Sequence, residues 1–447
     1  MKKQIDFTQG SIVRSIILFS LPIVAGELLQ NLYNSVDALV VGNLVSKQAL
    51  AAVTVCGVIS NMVVNFFNGM SVGSNIVVSR AFGQGDIQER QRVVKVTFTF
   101  SALLGVLLSL AGIVFTPQLL LIAGVQADYY TEAECYLRIY LAGLLFTVIY
   151  NTAAGILRAL GNSRTPFYIL LASCSTNIVL DLLFVGTLRM GVAGVGLATV
   201  CSQLLSVLLV YRTISRQEGV RSLDFAALRS NSRQIITTVL DVGLTAGMQS
   251  ALIGFSNIFV VRYMNLFSTA AVAGIGIAQR LDRFIVLPAK SFGITMTTFM
   301  GQNLGSKSYD RLKSGKRQCL LIAIGVTLTL SAIVFMFIEQ CVALFNSDPE
   351  VVKVGVAMMR RLVPMFWVMA AREVMLGILR GSGKNRVPMV LSLAGMVGVR
   401  QIFLAVVMRR PAIEYIYICY PLAWSSTLLM LVIYYFCVRK RITAMQP

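Results

Sequence analysis

Glu27, Gln30, Asn31, Asn34 and Asp37 lie within the stretch 20–45, SLPIVAGELLQNLYNSVDALVVGNLV, which is apolar over most of its other positions. At 100° per residue Glu27, Asn31 and Asn34 share one side of a helix, with Gln30 and Asp37 at its edge. The opposite side is Leu, Val and Ala. A segment of this length crosses a hydrocarbon core, and an ionisable group inside one costs about 3 kcal/mol or more. The stripe is therefore expected to face a protein interior or a water-filled cavity. A second polar face comes from Ser173, Asn177 and Asp181, spaced i, i+4 and i+8. A third comes from Thr199, Ser202, Gln203 and Ser206. Brought together, the three faces make an oxygen-rich site. Two carboxylates in a low-dielectric pocket do not both stay ionised cheaply: one takes a proton, or a cation neutralises the pair. That is the chemistry of an ion-coupling site. The alternative is that Asp37 and Asp181 cap or bond neighbouring helices.

The elements that would position these residues are membrane spans. The chain has 447 residues, 56% hydrophobic and 13% charged, too apolar for a soluble protein of this size. About twelve apolar runs of spanning length recur, near 16–42, 50–78, 93–116, 134–157, 167–188, 192–213, 235–262, 268–298, 318–338, 352–379, 388–408 and 413–437. Lys and Arg concentrate at the N-terminus and near 80–95, 158–164, 212–233, 307–317, 380–386 and 439–441. The alternate loops hold few, among them Lys47, Arg138, Arg189 and Lys353. This positive-inside pattern accounts for the net charge of +20 without nucleic acid, and it places both termini in the cytoplasm of a plasma (inner) membrane protein. Residues 1–15 read as an amphipathic lead-in on the cytoplasmic surface. The first apolar segment lacks the small-residue cleavage site of a signal peptide. There is no histidine, which excludes His-based catalysis and His metal ligation. Eight cysteines occur without a C-x-x-C; Cys135 and Cys341 are the one pair that could meet at the outer surface.

The chain repeats itself. GILR at 155–158 recurs at 377–380, and RALGNSRTP (158–166) is answered by RGSGKNRVP (380–388). Arg158, Gly161, Arg164 and Pro166 fall on Arg380, Gly383, Arg386 and Pro388. AFGQGDIQERQR (81–92) answers FMGQNLGSKSYDR (299–311) near the same offset. Both partners sit in cytoplasmic loops, so the halves share one orientation, a parallel repeat about an axis along the membrane normal. The expected fold is all-α. It has a six-helix bundle at 1–213, a cytoplasmic linker at 214–234 and a second six-helix bundle at 235–447, with a central cleft between the bundles.

The halves differ in charge. Where the first has Asp37 and Asp181, the second has Phe259 and Phe403. The second half instead carries Arg280, Asp282, Arg283 and Lys290 in its second span, Arg372 and Glu373 in its fourth and Arg400 in its fifth. Asp282 is expected to pair with Arg280 or Arg283, and Glu373 with Arg372 or Arg400. The remaining cations either snorkel to the interface or form a cleft wall that attracts an anionic or zwitterionic cargo. Glu27, Gln30, Asn34, Gln203 and Gln249 are further cavity candidates. Met248, Met264, Met296, Met300 and Phe255 are candidates for an adaptable apolar lining.

The motifs LPIVAGELLQNLYNSVDALVVGNLV (21–45), GILRALGNSRTP (155–166), NIVLDLLF (177–184), MGVAGVGLATVCSQ (190–203) and PAKSFGITMTTFMGQNLG (288–305) resemble the multidrug and toxic compound extrusion (MATE) family. The resemblance implies twelve helices in two bundles around a V-shaped cleft, and antiport of drug-like compounds against H⁺ or Na⁺. It implies a cation site made by Asp37, Asn177, Asp181 and Thr199, with no metal beyond a possible Na⁺ there. Another branch carries a Glu in the seventh helix. Here that region reads LTAGMQSALIGFSN, which is similar to the DinF-like branch.

The function expected is a cation-coupled exporter of small amphipathic compounds, working as a monomer in lipid with no cofactor but the coupling ion. A lipid-linked saccharide flippase of the same superfamily would bring two more helices. An integral membrane enzyme would need a nucleophile–base pair or a metal cluster, and the sequence offers neither.

Overall fold

The computed structural model describes residues 4–220, 223–225, 228 and 232–443, apart from the side chains of 32–41, 43, 44, 47, 58, 61, 65 and 440–443. All regular structure among them is helical. The first six spans are α1 (Ile12–Leu44), α2 (Lys47–Gln84), α3 (Ile87–Val114), a bent pair, α7 (Arg164–Asp181) and α8 (Gly191–Glu218). Between α3 and the pair lies the short α4 (Thr116–Ile122). The pair is α5 (Tyr130–Ala142) and α6 (Leu144–Ala159), which with its leading turn bends by 43°. The second six are α9 (Arg233–Met264), α10 (Thr269–Gly305), α11 (Tyr309–Met336), α13 (Pro349–Leu362) running on to α14 (Phe366–Gly381), α15 (Arg386–Leu393) running on to α16 (Arg400–Val407), and α17 (Ile413–Thr443). The short α12 (Ile338–Ala343) follows α11. Among the described residues ten helices are long and apolar enough to cross a membrane alone, and the bent pair makes eleven. The 37-residue α10, which carries the charged run from Arg280 to Lys290, completes the twelve.

Local chemistry sets the ends. Ser46, Asp86, Ser268 and Asp348 each accept a backbone N–H of the first turn that follows, satisfying donors that an α-helix leaves orphaned. The GILR repeat ends in the same turn twice. Gly161 N–H bonds the Arg158 carbonyl and Asn162 N–H that of Leu157, both at 2.9 Å. Gly383 and Lys384 repeat this onto Arg380 and Leu379 at 2.8 and 3.0 Å. Both glycines take φ +78°, the left-handed conformation this closure requires. Pro166 and Pro388 then sit in the first turn of the next helix, where no N–H is needed.

The chain forms two compact units. One is Met1–Ile5 with Ala25–Gly247; the other is Asp6–Val24 with Met248–Pro447. Their boundaries fall inside α1 and α9 rather than in the 214–234 stretch, whose first residues continue α8 as far as Glu218. In the first unit, Phe67, Leu137, Leu141 and Val195 centre one cluster, and Val94, Ile156, Leu157 and Val210 another. In the second, Leu281, Ile285, Met358, Phe366 and Trp424 centre a larger one. Large apolar side chains such as Leu107, Leu110, Val114, Leu121 and Ile122 stay more than half exposed, as a lipid solvent permits. None of the eight cysteines is in a disulfide, Cys135 and Cys341 included.

The N-terminal lead-in differs from a surface amphipath. Residues 4–11 are non-helical. Phe7 is fully buried in the second unit, its ring 5.1 Å from that of Phe19 and 5.5 Å from that of Phe299. Phe7 N–H donates to Gln302 Oε1 (2.9 Å), and its carbonyl accepts from Asn303 Nδ2 (3.2 Å) and from Arg311. Arg311 Nη2 also reaches the carbonyls of Gln9 and Gly10 at 3.1 and 3.0 Å. Hydrophobic patterning marks Phe7 as apolar without saying what covers it. Phe7→Ala is expected to cost about 3 kcal/mol, the range for emptying a buried Phe site. It should appear as a lowered melting temperature of the detergent-solubilised protein; an unchanged melt would show that the segment is not docked.

Candidate functional site

The polar residues of the first unit come together on α7 and α8. Asn177 and Asp181 sit one turn apart on α7, both with 0% exposure. Ser173, one turn earlier, donates from Oγ to the Ser202 carbonyl of α8 at 2.7 Å. On α8, Thr199 Oγ1 donates to the Val195 carbonyl (3.1 Å), and Ser202 Oγ to that of Thr199 (2.8 Å). Thr147 of α6 donates to Gln203 Oε1 at 2.6 Å, tying a third helix to this face. The second half of α1 approaches α7, because Gly26 leaves room for Leu170 and Phe167. Asn31 Nδ2 donates back to the Glu27 carbonyl (2.8 Å), Glu27 is half-buried and Gln30 is exposed. The side chains of Asn34 and Asp37 lie outside the described residues. The structure therefore gathers Asn177, Asp181, Thr199 and Gln203 on adjoining helices, and Glu27 lies by Arg158 and Tyr150 in the same unit.

A feature with no sequence signature adjoins Asp181. The helix widens into a π-turn over Leu182–Thr187, immediately after the aspartate. Leu188 N–H accordingly bonds the Leu183 carbonyl, five residues back, at 2.8 Å. Such turns are rare and recur at functional sites, because they re-aim side chains and loosen the carbonyl ladder.

The second unit is built from charges of the other sign. Arg372 is buried and pairs with its neighbour Glu373, and its Nη1 lies 2.8 Å from Met396 Sδ. Arg380 and Lys290 also lie near Glu373. Gln249 is buried and accepts from Arg380 Nη2 (2.9 Å). Arg400 is buried and donates to Ser256 rather than to Glu373. The expected pairing of Asp282 with Arg280 or Arg283 does not form; Asp282 is half-buried, and both arginines, like Lys290, point to exposed positions. Adjacent arginines one and two residues along a helix diverge from Asp282 by 100° or more, which spacing alone should have signalled. The partners that sequence reasoning missed, Ser71 for Arg158 (2.7 Å) and Ser256 for Arg400 (2.7 Å), are neutral hydroxyls.

The sequence model of the MatE family matches the chain twice, at residues 22–183 and again at 246–407. The chain belongs to the MatE family. The two matches are the repeat seen in the GILR turns. Among proteins similar over nearly their whole length is the probable multidrug resistance protein YoeA of Bacillus subtilis, 26% identical over 442 residues (97% of this chain, 96% of that one). The probable multidrug resistance protein YpnP of the same organism is 29% identical and covers 90% of each chain. The multidrug export protein MepA of Staphylococcus aureus is 22% identical over 89% of this chain and 88% of its own. Among solved structures, the Vibrio cholerae MATE transporter VcmN superposes with a TM-score of 0.90 at 18% identity, covering 97% of this chain and 99% of that one. A MOP superfamily transporter from Pyrococcus furiosus, described as having a binding pocket of reverse polarity, gives 0.87 at 21% identity, with 100% and 99% covered. The MatE protein thus has the twelve-helix fold of MATE transporters and is a multi-pass membrane protein.

Proposed function

We propose that this MatE protein is a cation-coupled antiporter. It exports amphipathic organic compounds, drug-like ones among them, across the plasma membrane by alternating access, with both termini cytoplasmic and the monomer as working unit. The observation that carries the reading is Asp181, a carboxylate with 0% exposure within the fifth apolar span, one turn from Asn177 and on the face that meets the Thr199 helix. A carboxylate in that position changes its charge by taking a proton, or keeps it by holding Na⁺ among neighbouring oxygens. Either event gives the first unit two charge states, and a difference in free energy between two packings follows from that. The multidrug names of the relatives support the class of cargo. The reading is transport, not catalysis, and it asks for no cofactor besides the coupling ion.

The test is purified protein in liposomes with a fluorescent cationic dye or an amphipathic acid as cargo. A Na⁺ gradient at uniform pH and a pH gradient without Na⁺ are imposed in turn. One of them is expected to drive cargo against its own gradient, and it names the ion. Cargo that only equilibrates under both gradients would overturn coupling.

A further inference from the structure

Arg400 presents a buried charge that the transport cycle above does not use. Its side chain is 1% exposed, and among the described residues no carboxylate forms an ion pair with it. Arg372, the other buried arginine of this unit, has Glu373. Among the described residues the direct partners of Arg400 are neutral, and the Asp282 carboxylate lies near Tyr420. Nη2 donates to Ser256 Oγ at 2.7 Å, and the guanidinium lies over the Tyr420 ring, 5.9 Å from its centroid. Its Nε–H is buried with no acceptor among the described residues. Gln401 holds Ser256 from the other side, donating to its Oγ and its carbonyl, both at 2.8 Å. Gln279 donates to the Tyr420 hydroxyl (2.8 Å), which leaves the tyrosine its own proton to give.

A buried aspartate in such a place can neutralise itself by taking a proton. A guanidinium has no such exit, because it stays charged at any accessible pH. A lone charge in the core of a unit whose buried cluster includes Met396, Leu404 and Trp424 is strongly disfavoured unless a counter-charge arrives. The location points the same way. The helix carrying Arg400 widens into a π-turn over Ala394–Val399, and Arg400 is the residue that follows it. In the other half Asp181 is the residue that precedes the π-turn of the equivalent span. Each half therefore sets one wholly buried charge beside a π-turn, negative in the first and positive in the second.

We infer that Arg400, Ser256 and Tyr420, braced by Gln401 and Gln279, form an anion site in the second unit that takes one negative charge. The ligand is a free halide or the carboxylate of a cargo molecule; both present a singly charged acceptor to the open N–H. One guanidinium inside an apolar cluster compensates one charge, so a divalent anion is excluded. Binding here needs no gradient and stands apart from coupling at Asp181.

Trp424, whose ring centroid is 6.4 Å from that of Tyr420, is a built-in reporter. The other tryptophan, Trp367, is 40% exposed and is removed as Trp367→Phe. Bromide and naphthalene-acetate are titrated separately into the detergent-solubilised full chain, with sulfate balancing ionic strength. Saturable change in Trp424 fluorescence is expected with at least one of them and not with sulfate. Arg400→Gln is expected to weaken it tenfold or more, and Ser256→Ala several-fold. Saturation by bromide alone assigns the site to free halide, and saturation by naphthalene-acetate assigns it to a cargo carboxylate. Purely linear quenching in the parent, or saturation unchanged in Arg400→Gln, overturns the proposal. Should Arg400→Gln not fold, Arg400→Lys and Ser256→Ala decide it: unchanged affinity in both overturns it equally.

Discussion

Asp181→Asn yields a folded, membrane-inserted protein that moves cargo down its gradient and no longer accumulates it under an imposed ion gradient. The amide matches the carboxylate in size and is unable to take a proton or hold a formal charge. The cost of burying an ionisable group is lost with it, so the melting temperature is expected to change little. What disappears is the work of the ion. One charge moved through 100 mV supplies about 2.3 kcal/mol, a steady cargo ratio of about fortyfold at 1.4 kcal/mol per decade. Liposomes containing the variant are expected to hold cargo at equilibrium, near a ratio of one. Accumulation at the parental level would place coupling elsewhere and leave the Asn177–Asp181 face a structural one.

Gly377→Val and Gly155→Val are each expected to leave no monodisperse protein. The two glycines occupy the same place in the two GILR copies. A Cβ at Gly377 would fall on the Gly293 carbonyl of α10, and one at Gly155 on the Ser71 carbonyl of α2. Backbone lies on both sides of each contact, so no rotamer change relieves it. Overpacking against side chains costs about 1–3 kcal/mol. Against a fixed carbonyl the expected cost is more than about 4 kcal/mol, enough to unfold most domains. Gly254→Ala is the control. It sits in α9 with nothing within 4 Å of the added carbon, and alanine there favours the helix by up to about 1 kcal/mol. Size-exclusion profiles and melts of the three variants check this. A monodisperse Gly377→Val with a parental melt would sink the argument.

The legible features were those that short stretches determine. Apolar runs of spanning length gave twelve helices, because a bilayer leaves a backbone few alternatives. The GILR turns showed the repeat because a helix end closed by a left-handed residue is written in two or three letters, and Gly161 and Gly383 carry it with the same φ. Asn177 and Asp181 were readable as one face by periodicity. The π-turns were not readable, since insertion of one residue into a helical ladder depends on what packs around it. Nor was the burial of Phe7, whose cover comes from Phe299, Gln302 and Arg311, almost three hundred residues downstream. The Arg400 environment is not legible either, because its partner is a neutral serine 144 residues away rather than a carboxylate.

The division of the chain into units also orders its manufacture. A ribosome delivers Asp6–Val24 first, but the unit to which that segment belongs begins again only at Met248. The bond from Phe7 to Gln302 spans 295 residues of chain still to be made. Throughout that interval the start of the first helix has lipid or its own neighbours, Phe7 among them, for company, and none of its partners from the second half. The last 15 residues of the first unit, 233–247, likewise arrive after the basic stretch that separates the halves. Insertion can therefore proceed span by span, while the closing of the fold waits for translation to be well into the second half. A chain cut between Glu218 and Arg233 would leave each fragment holding a piece the other requires.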